Sequence, residues 1–273
     1  MSRRARAIVV HAALAVAAVA TLFPLAWMVS ASLMPAGKAN QFPPRLLPSW
    51  PTIAHYQALF VRLNLGRAFV NSLLLASSIT LISLWCNSMA GYAFAKLRFG
   101  RRDRLFALLL TTLLVPPQVG VLPLYLELRA LGLVNSFGGV IVAGIATVFG
   151  IFLVRQFALG IPDELLDAAR VDGASEWRIY WKVVLPLLRP ILVTLGVFTF
   201  LAAWNDFMWP LIVLTDESKH TLPVALANLS GEHVQDTELM MAGAVVTVLP
   251  VVVLFLAVQR QYLEGILMGS IKE

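Results

Sequence analysis

The chain has 273 residues, 59% of them hydrophobic and only 13% charged, with a formal net charge of +6. A soluble globular domain carries roughly 25% charged residues, so this composition excludes an ordinary water-soluble fold and requires that much of the surface face lipid. The positive charge calls for no nucleic acid, because Lys and Arg collect in the cytoplasmic loops of membrane proteins.

A helix needs about 20 largely apolar residues to cross a hydrocarbon core of about 30 Å. Stretches free of acids and of Lys and Arg run over Ala7–Gly37, Ala68–Ala95, Leu105–Leu126, Ala130–Val154 and Leu239–Gln259, and a sixth, Pro190–Trp209, is interrupted only by Asp206. Backbone groups in lipid must be satisfied internally, and none of these stretches shows the alternation of barrel strands. The expected fold is therefore an all-α membrane protein of six transmembrane helices.

In chain order, "MSRRARA" precedes an apolar run longer than a 7–15 residue signal core, so the first span reads as a retained anchor. Residues 1–67 are read as this anchor and an outer segment, and residues 68–273 as a five-span core. The outer segment is Pro-rich at its start, which excludes a continuous helix there. From Ile53 onward Tyr56, Leu59, Phe60 and Leu63 suggest a short amphipathic helix. In the second span Ser72, Ala76, Thr80, Ser83, Asn87 and Gly91 share one helix face. Small and hydroxylated residues there suit a close helix–helix seam or, alternatively, a wet translocation surface. Gly139, Ala143, Ala146 and Gly150 suggest a similar seam in the fourth span, and Cys86, the single cysteine, excludes an internal disulfide.

Six spans place both termini on one side. With the termini in the cytoplasm, 15 of the 21 Lys and Arg fall in cytoplasmic segments, which fixes the orientation. Phosphate-loop and zinc-protease patterns are lacking, and the four His, at 11, 55, 220 and 233, are scattered. No catalytic residue, metal ligand or cofactor of the chain's own is expected. Asp206, in "WNDFMWPL", is the one ionisable residue that suits a coupling or path role within a span. Trp204 and Trp209 fit an aromatic belt at the outer interface; the functional alternative places Trp204, Asn205 and Asp206, with Asn87, along a polar path or outer gate.

The loop before the fifth span, "DAARVDGASEWRIYWKVVLP", breaks the apolar pattern. Gly160 and Pro162 end the preceding helix, and Asp163 and Glu164 complement the dipole at the start of a new one. That helix should close at Gly173, which adopts positive φ, and Ser175 should cap a second helix up to Pro186. Ala168 and Ala169 then form a bare patch rimmed by Asp167, Arg170, Asp172 and Arg178. Trp177 and Trp181 share a face of the second helix suited to packing against the membrane ends of the spans.

Asp167, Ala168, Ala169, Gly173, Val183, Leu185 and Pro186 resemble, at every spacing, the E-A-A, G, I-x-L-P loop of the membrane subunits of ATP-binding cassette importers, with Asp for Glu and Val for Ile. "NSLLLASSIT", "KLRFGRRD" and "WNDFMWPL" further resemble the carbohydrate-uptake permeases of the maltose type, in particular the second permease subunit. The resemblance implies a coupling-helix loop at about 160–189, between spans four and five, in an inner-membrane protein. It also implies a second homologous permease subunit, a cytoplasmic ATPase dimer that binds the ATP, and an extracytoplasmic sugar-binding protein touched by residues 213–238. In that setting Ala168 and Ala169 give contact, Asp167 pairs with a cation on the ATPase and Gly173 makes the turn. Glycerol phosphate or a polyol is the alternative cargo, and an ion-coupled carrier the rival mechanism.

Overall fold

The computed structural model describes residues 3–43, 45–62, 64–232 and 236–270, without the side chains of 62, 229–232 and 260–270; Leu63 and residues 271–273 lie outside the described residues. Every regular element among them is helical. Three helices are long and apolar enough to cross a membrane, and three bent pairs raise the number of candidate spans to as many as six.

The chain divides into two compact units. The first comprises residues 1–66 and 225–250. Its helix α1 (Arg3–Ser32) buries only Ala31 and Ser32, as suits a helix whose apolar sides face lipid. Among the described residues of 33–53 there is no helix, in keeping with their prolines, and α2 (Ala54–Arg62) follows where the amphipathic pattern predicts it. Hydrogen bonds anchor this irregular segment: Thr52 N–H donates to Leu33 O at 2.9 Å, and Ala39 N–H donates to the fully buried carboxylate of Glu238 at 2.7 Å.

The second unit comprises residues 67–224 and 251–273. Its longest element is α3 (Leu65–Lys96), a continuous helix without proline. Then come α4 (Arg102–Thr111), α5 (Val121–Ala130), α6 (Phe137–Ala143) and α7 (Val148–Leu159). The loop helices are α8 (Asp163–Val171) and α9 (Glu176–Leu187), followed by α10 (Arg189–Trp204) and α11 (Met208–Val213). The chain ends with α12 (Leu222–Glu232) and α13 (Thr237–Ser270), the latter crossing from one unit to the other at Pro250.

Three of the apolar stretches are bent or broken helices. Leu105–Leu126 is not one helix: Pro116 and Pro117 interrupt it, and the halves bend by 95°. The fourth span begins at Phe137 rather than Ala130 and is broken between Ala143 and Val148, with a 48° bend, so Gly139 and Gly150 do not lie on one continuous seam. The fifth apolar stretch is set off from α9 by a 77° bend at the start of α10, and its helix breaks after Trp204. Pro186 lies within α9, two residues before this bend. Its missing N–H leaves the Lys182 carbonyl without an α-helical donor, and the chain absorbs this as a wide π turn over Tyr180–Val184 within α9.

Candidate functional site

The loop between α7 and α10 is built on a small apolar core. Leu166 of α8 and Ile179, Tyr180 and Val184 of α9 pack against Tyr92 of α3, Val154 and Ala158 of α7, and Ile161. Leu166 and Ile179 are 1% and 0% exposed; burying side chains of this size contributes about 1.5–3 kcal/mol each. This core holds α8 as a projecting shelf. The helix starts after Pro162, with Asp163 and Glu164 in its first turn, and closes through Gly173 N–H to Arg170 O and Ala174 N–H to Ala169 O, both at 3.0 Å. Gly173 takes φ +78°, and no atom lies within 4 Å of where its Cβ would be. The Ser175 hydroxyl accepts the Arg178 N–H and caps α9.

The motif residues divide by environment. Asp167 and Ala168 are exposed, and Val171 beside them is 88% exposed. Ala169 is half-buried and packs on the core, as do Val183 and Leu185, while Pro186 is exposed. Trp177 and Trp181 remain 55% and 42% exposed and pack edge to face on each other, with Trp177 stacked on Tyr180.

Charge knits the shelf together. Arg170 donates to Asp167 at 2.7 Å and, through Nε, to Glu176 at 2.7 Å, joining α8 to α9. The guanidinium holds the Glu176 carboxyl below the usual carboxylate range, and the two carboxylates hold Arg170 still more firmly protonated. The partner of Asp167 within the chain is therefore Arg170. Tyr92 of α3 donates its hydroxyl to Glu176 at 3.1 Å, and the Ser88 hydroxyl bonds that of Tyr180 at 2.7 Å. Lys96, whose side chain is 7% exposed, donates to Ile161 O at 2.6 Å and to Asp163 at 2.7 Å, holding the Asp163 carboxyl below its ordinary range. Arg155 of α7 donates to Phe94 O at 3.2 Å and lies 4.1 Å over the Phe106 ring.

The polar residues within the candidate spans satisfy broken backbone. Asn87 is fully buried; its Oδ1 accepts Thr147 N–H at 3.0 Å, and its Nδ2 donates to Ser83 at 2.9 Å and Thr147 at 3.4 Å. A Cβ on Gly150 would collide with that amide. Asn205 donates to Leu201 O at 2.8 Å, and Asp206 accepts Trp209 N–H at 3.3 Å, so both close the break between α10 and α11. Asn87 is not brought to Asn205 and Asp206 by any contact among the described residues. An exposed aromatic belt is not what Trp204 and Trp209 form: Trp204 is 0% exposed between Phe69 and Phe200, and Trp209 is 8% exposed with its indole N–H on Gly139 O. Residues 214–221 are held by Asn71, which donates to Ser218 O and His220 O, and by Asn135, whose carbonyl accepts Lys219.

Ser88, Tyr92, Lys96 and Glu176 escape a reading of the sequence, although the first three recur at steps of four, one position after the small-residue stripe. Their partners lie 92, 84 and 67 residues away.

The sequence matches the family described as "Binding-protein-dependent transport system inner membrane component" over residues 87–263, which include the whole loop. It is 36% identical over 254 residues to the arabinooligosaccharides transport system permease protein AraQ of Halalkalibacterium halodurans, covering 92% of this chain and 91% of that protein. It is 33% identical to the lactose transport system permease protein LacG of Rhizobium radiobacter, covering 100% and 98%. To the sn-glycerol-3-phosphate transport system permease protein UgpE of Yersinia pestis it is 32% identical, covering 97% of each. The fold is similar to that in a crystal structure of a bacterial ABC transporter involved in the import of the acidic polysaccharide alginate, with a TM-score of 0.83 at 26% identity, covering 95% of this chain and 98% of that one. Such a subunit is not itself an enzyme and implies a separate ATPase and binding protein as partners. The chain belongs to the inner-membrane components of binding-protein-dependent transport systems: it is a multi-pass permease subunit of an ATP-binding cassette importer.

Proposed function

We propose that this permease serves sugar import: it forms half of a pathway with a second homologous subunit, and residues 160–189 dock on the ATPase that binds the ATP. Six spans with both termini and the loop in the cytoplasm, residues 68–273 forming the core, agree with the distribution of Lys and Arg. The observation that carries the docking reading is the α8 ridge. Ala168 and Val171 stand in solvent at the tip of a shelf whose own core is already filled, bordered by Asp167 and Asp172. An apolar centre with a charged rim suits a protein partner. Asp167, Ala168 and Ala169 meet the ATPase, Gly173 sets the turn, and Val183, Leu185 and Pro186 seat the second helix. ATP binding displaces α8, and the spans open toward the loaded binding protein, which residues 213–238 meet.

Similarity to AraQ and LacG supports a neutral oligosaccharide as cargo; similarity to UgpE favours sn-glycerol 3-phosphate as the second reading. Asn205 and Asp206, beside Trp204 at the α10–α11 break, are the path residues we favour, and Asn87 supports the α6–α7 break. Proteoliposomes holding the full complex, its binding protein and internal ATP test this with labelled arabinose oligosaccharides, lactose and sn-glycerol 3-phosphate. Saccharide uptake that needs ATP and is lost in Ala168→Arg is expected. Uptake of only the phosphate would reassign the cargo, and uptake without the ATPase would instead make Asp206 the site of ion coupling.

A further inference from the structure

One face of α3 touches the loop three times. Ser88, Tyr92 and Lys96 are four residues apart, and side chains at that spacing stand one above another on a helix. Ser88 bonds Tyr180, Tyr92 bonds Glu176, and Lys96 bonds Ile161 O and Asp163. Tyr180 and Glu176 are also four apart and are met in reverse order, so α3 and α9 run antiparallel and share two polar rungs, with the Tyr92 and Tyr180 rings 5.9 Å apart between them. From Glu176 the chain of polar contacts continues through Arg170 to Asp167 on α8. It leads from a carboxylate 68% exposed at the shelf's edge to a tyrosine 3% exposed in the core.

We propose that the stripe Ser88, Tyr92 and Lys96 is the attachment through which movement of the loop reaches α3, Tyr92 being a positioning residue that acts through Glu176. Apolar contacts are non-directional and allow one helix to slide over another. Hydrogen bonds have narrow distance and angle requirements, so three of them along one face fix register. Where both partners are buried, as Ser88 and Tyr180 are, the bond is also stronger than in water. A displacement of α8 and α9 therefore carries the Lys96 end of α3 with it. The adjoining face of α3 supports the α6–α7 break through Asn87, one residue before Ser88, so a movement of α3 reaches that break.

The inference rests on the proposed docking of the loop on an ATPase. The test is hydrogen–deuterium exchange on the complete transporter in lipid nanodiscs, without nucleotide and trapped with ATP and vanadate. In the wild type, trapping is expected to change protection both over residues 163–184 and over residues 85–96. In Tyr92→Phe the loop change is expected to persist and the α3 change to vanish, with binding-protein stimulation of ATP turnover reduced at least about five-fold. Ser88→Ala, which leaves every ring in place, gives the same readout if Tyr92→Phe impairs assembly. Changes in α3 that match the wild type in both variants would overturn the attachment while leaving docking intact. A loop unaltered by trapping in the wild type would overturn docking and the attachment with it.

Discussion

Asn87 on α3 holds Thr147 in place: its side-chain oxygen accepts the Thr147 N–H at 3.0 Å, where the helix between α6 and α7 is interrupted. Irregular backbone at membrane depth is tolerated only where protein satisfies it, and here one side chain from another helix does so. Thr147 in turn accepts the Gly150 N–H at 3.1 Å and starts α7.

Asn87→Leu keeps the volume and removes the acceptor. Leaving a buried N–H unpaired costs about 1–3 kcal/mol, so the apparent Tm of the detergent-solubilised protein is expected to fall by several degrees. An unchanged Tm would show that the break is supported from elsewhere.

Gly91 and Gly196 make opposite predictions from the same change. A Cβ on Gly91 would stand 2.6 Å from Val154 Cβ and 3.0 Å from the Arg155 backbone nitrogen, neither of which can yield without moving α7. A Cβ on Gly196 would meet the flexible end of Leu84 at 3.3 Å and the Thr80 methyl at an ordinary 3.9 Å. Gly91→Ala is expected to destabilise by about 1–3 kcal/mol, and Gly196→Ala to be close to neutral. Thermal unfolding of the two purified variants, compared with the wild type, checks the ranking.

Gly173 is required for its backbone angle and not for space, because its Cβ position is empty. An L-residue in the left-handed region costs roughly 1–2 kcal/mol, and Asn bears it more readily than β-branched residues. Gly173→Asn is therefore expected to retain binding-protein-stimulated ATP turnover in the full complex, and Gly173→Val to lose most of it. Equal activity in both would remove the turn from the coupling mechanism.

Lys96 and Asp163 give a pH dependence of definite sign. Lys96 lowers the Asp163 carboxyl in the folded protein below its value in the unfolded chain. The stabilisation is thus fully present above the unfolded carboxylate value of about 4 and is lost as pH falls through the lower, folded-state value. Arg170 acts on Glu176 in the same direction. Thermal unfolding of the wild type should decline over this acid range. Lys96→Met should start lower at neutral pH and decline less steeply, since the Asp163 part is gone while those of carboxylates such as Glu176 and Asp216 remain; parallel curves would show that the ion pair contributes nothing.

Much of the loop between α7 and α10 was legible because its signals are local. Helix ends, a glycine turn and a capping serine are decided within a few residues, so "DAARVDGASEW" predicts α8, the turn at Gly173 and the start of α9. The small-residue stripe of the second span was also readable, but not which of its two roles it plays: Ser83 and Asn87 are 0% exposed and bonded within the protein, as a seam requires. The bends within the spans are not legible in hydropathy, which averages over a window and is blind to a 95° bend at Pro116 and Pro117.

What the sequence determined by itself is the solvent and the grammar: too few charges for water, apolar runs of membrane length, and a charged insertion with helix signals and a family spacing. Tertiary structure decided where the few polar side chains go. A hydrogen bond needs its two groups within about 3 Å, and Tyr92 and Glu176, 84 residues apart in the chain, meet that condition only after α3 and α9 have packed antiparallel around Tyr180. Composition can announce that a buried polar group needs a partner, but only the fold names it.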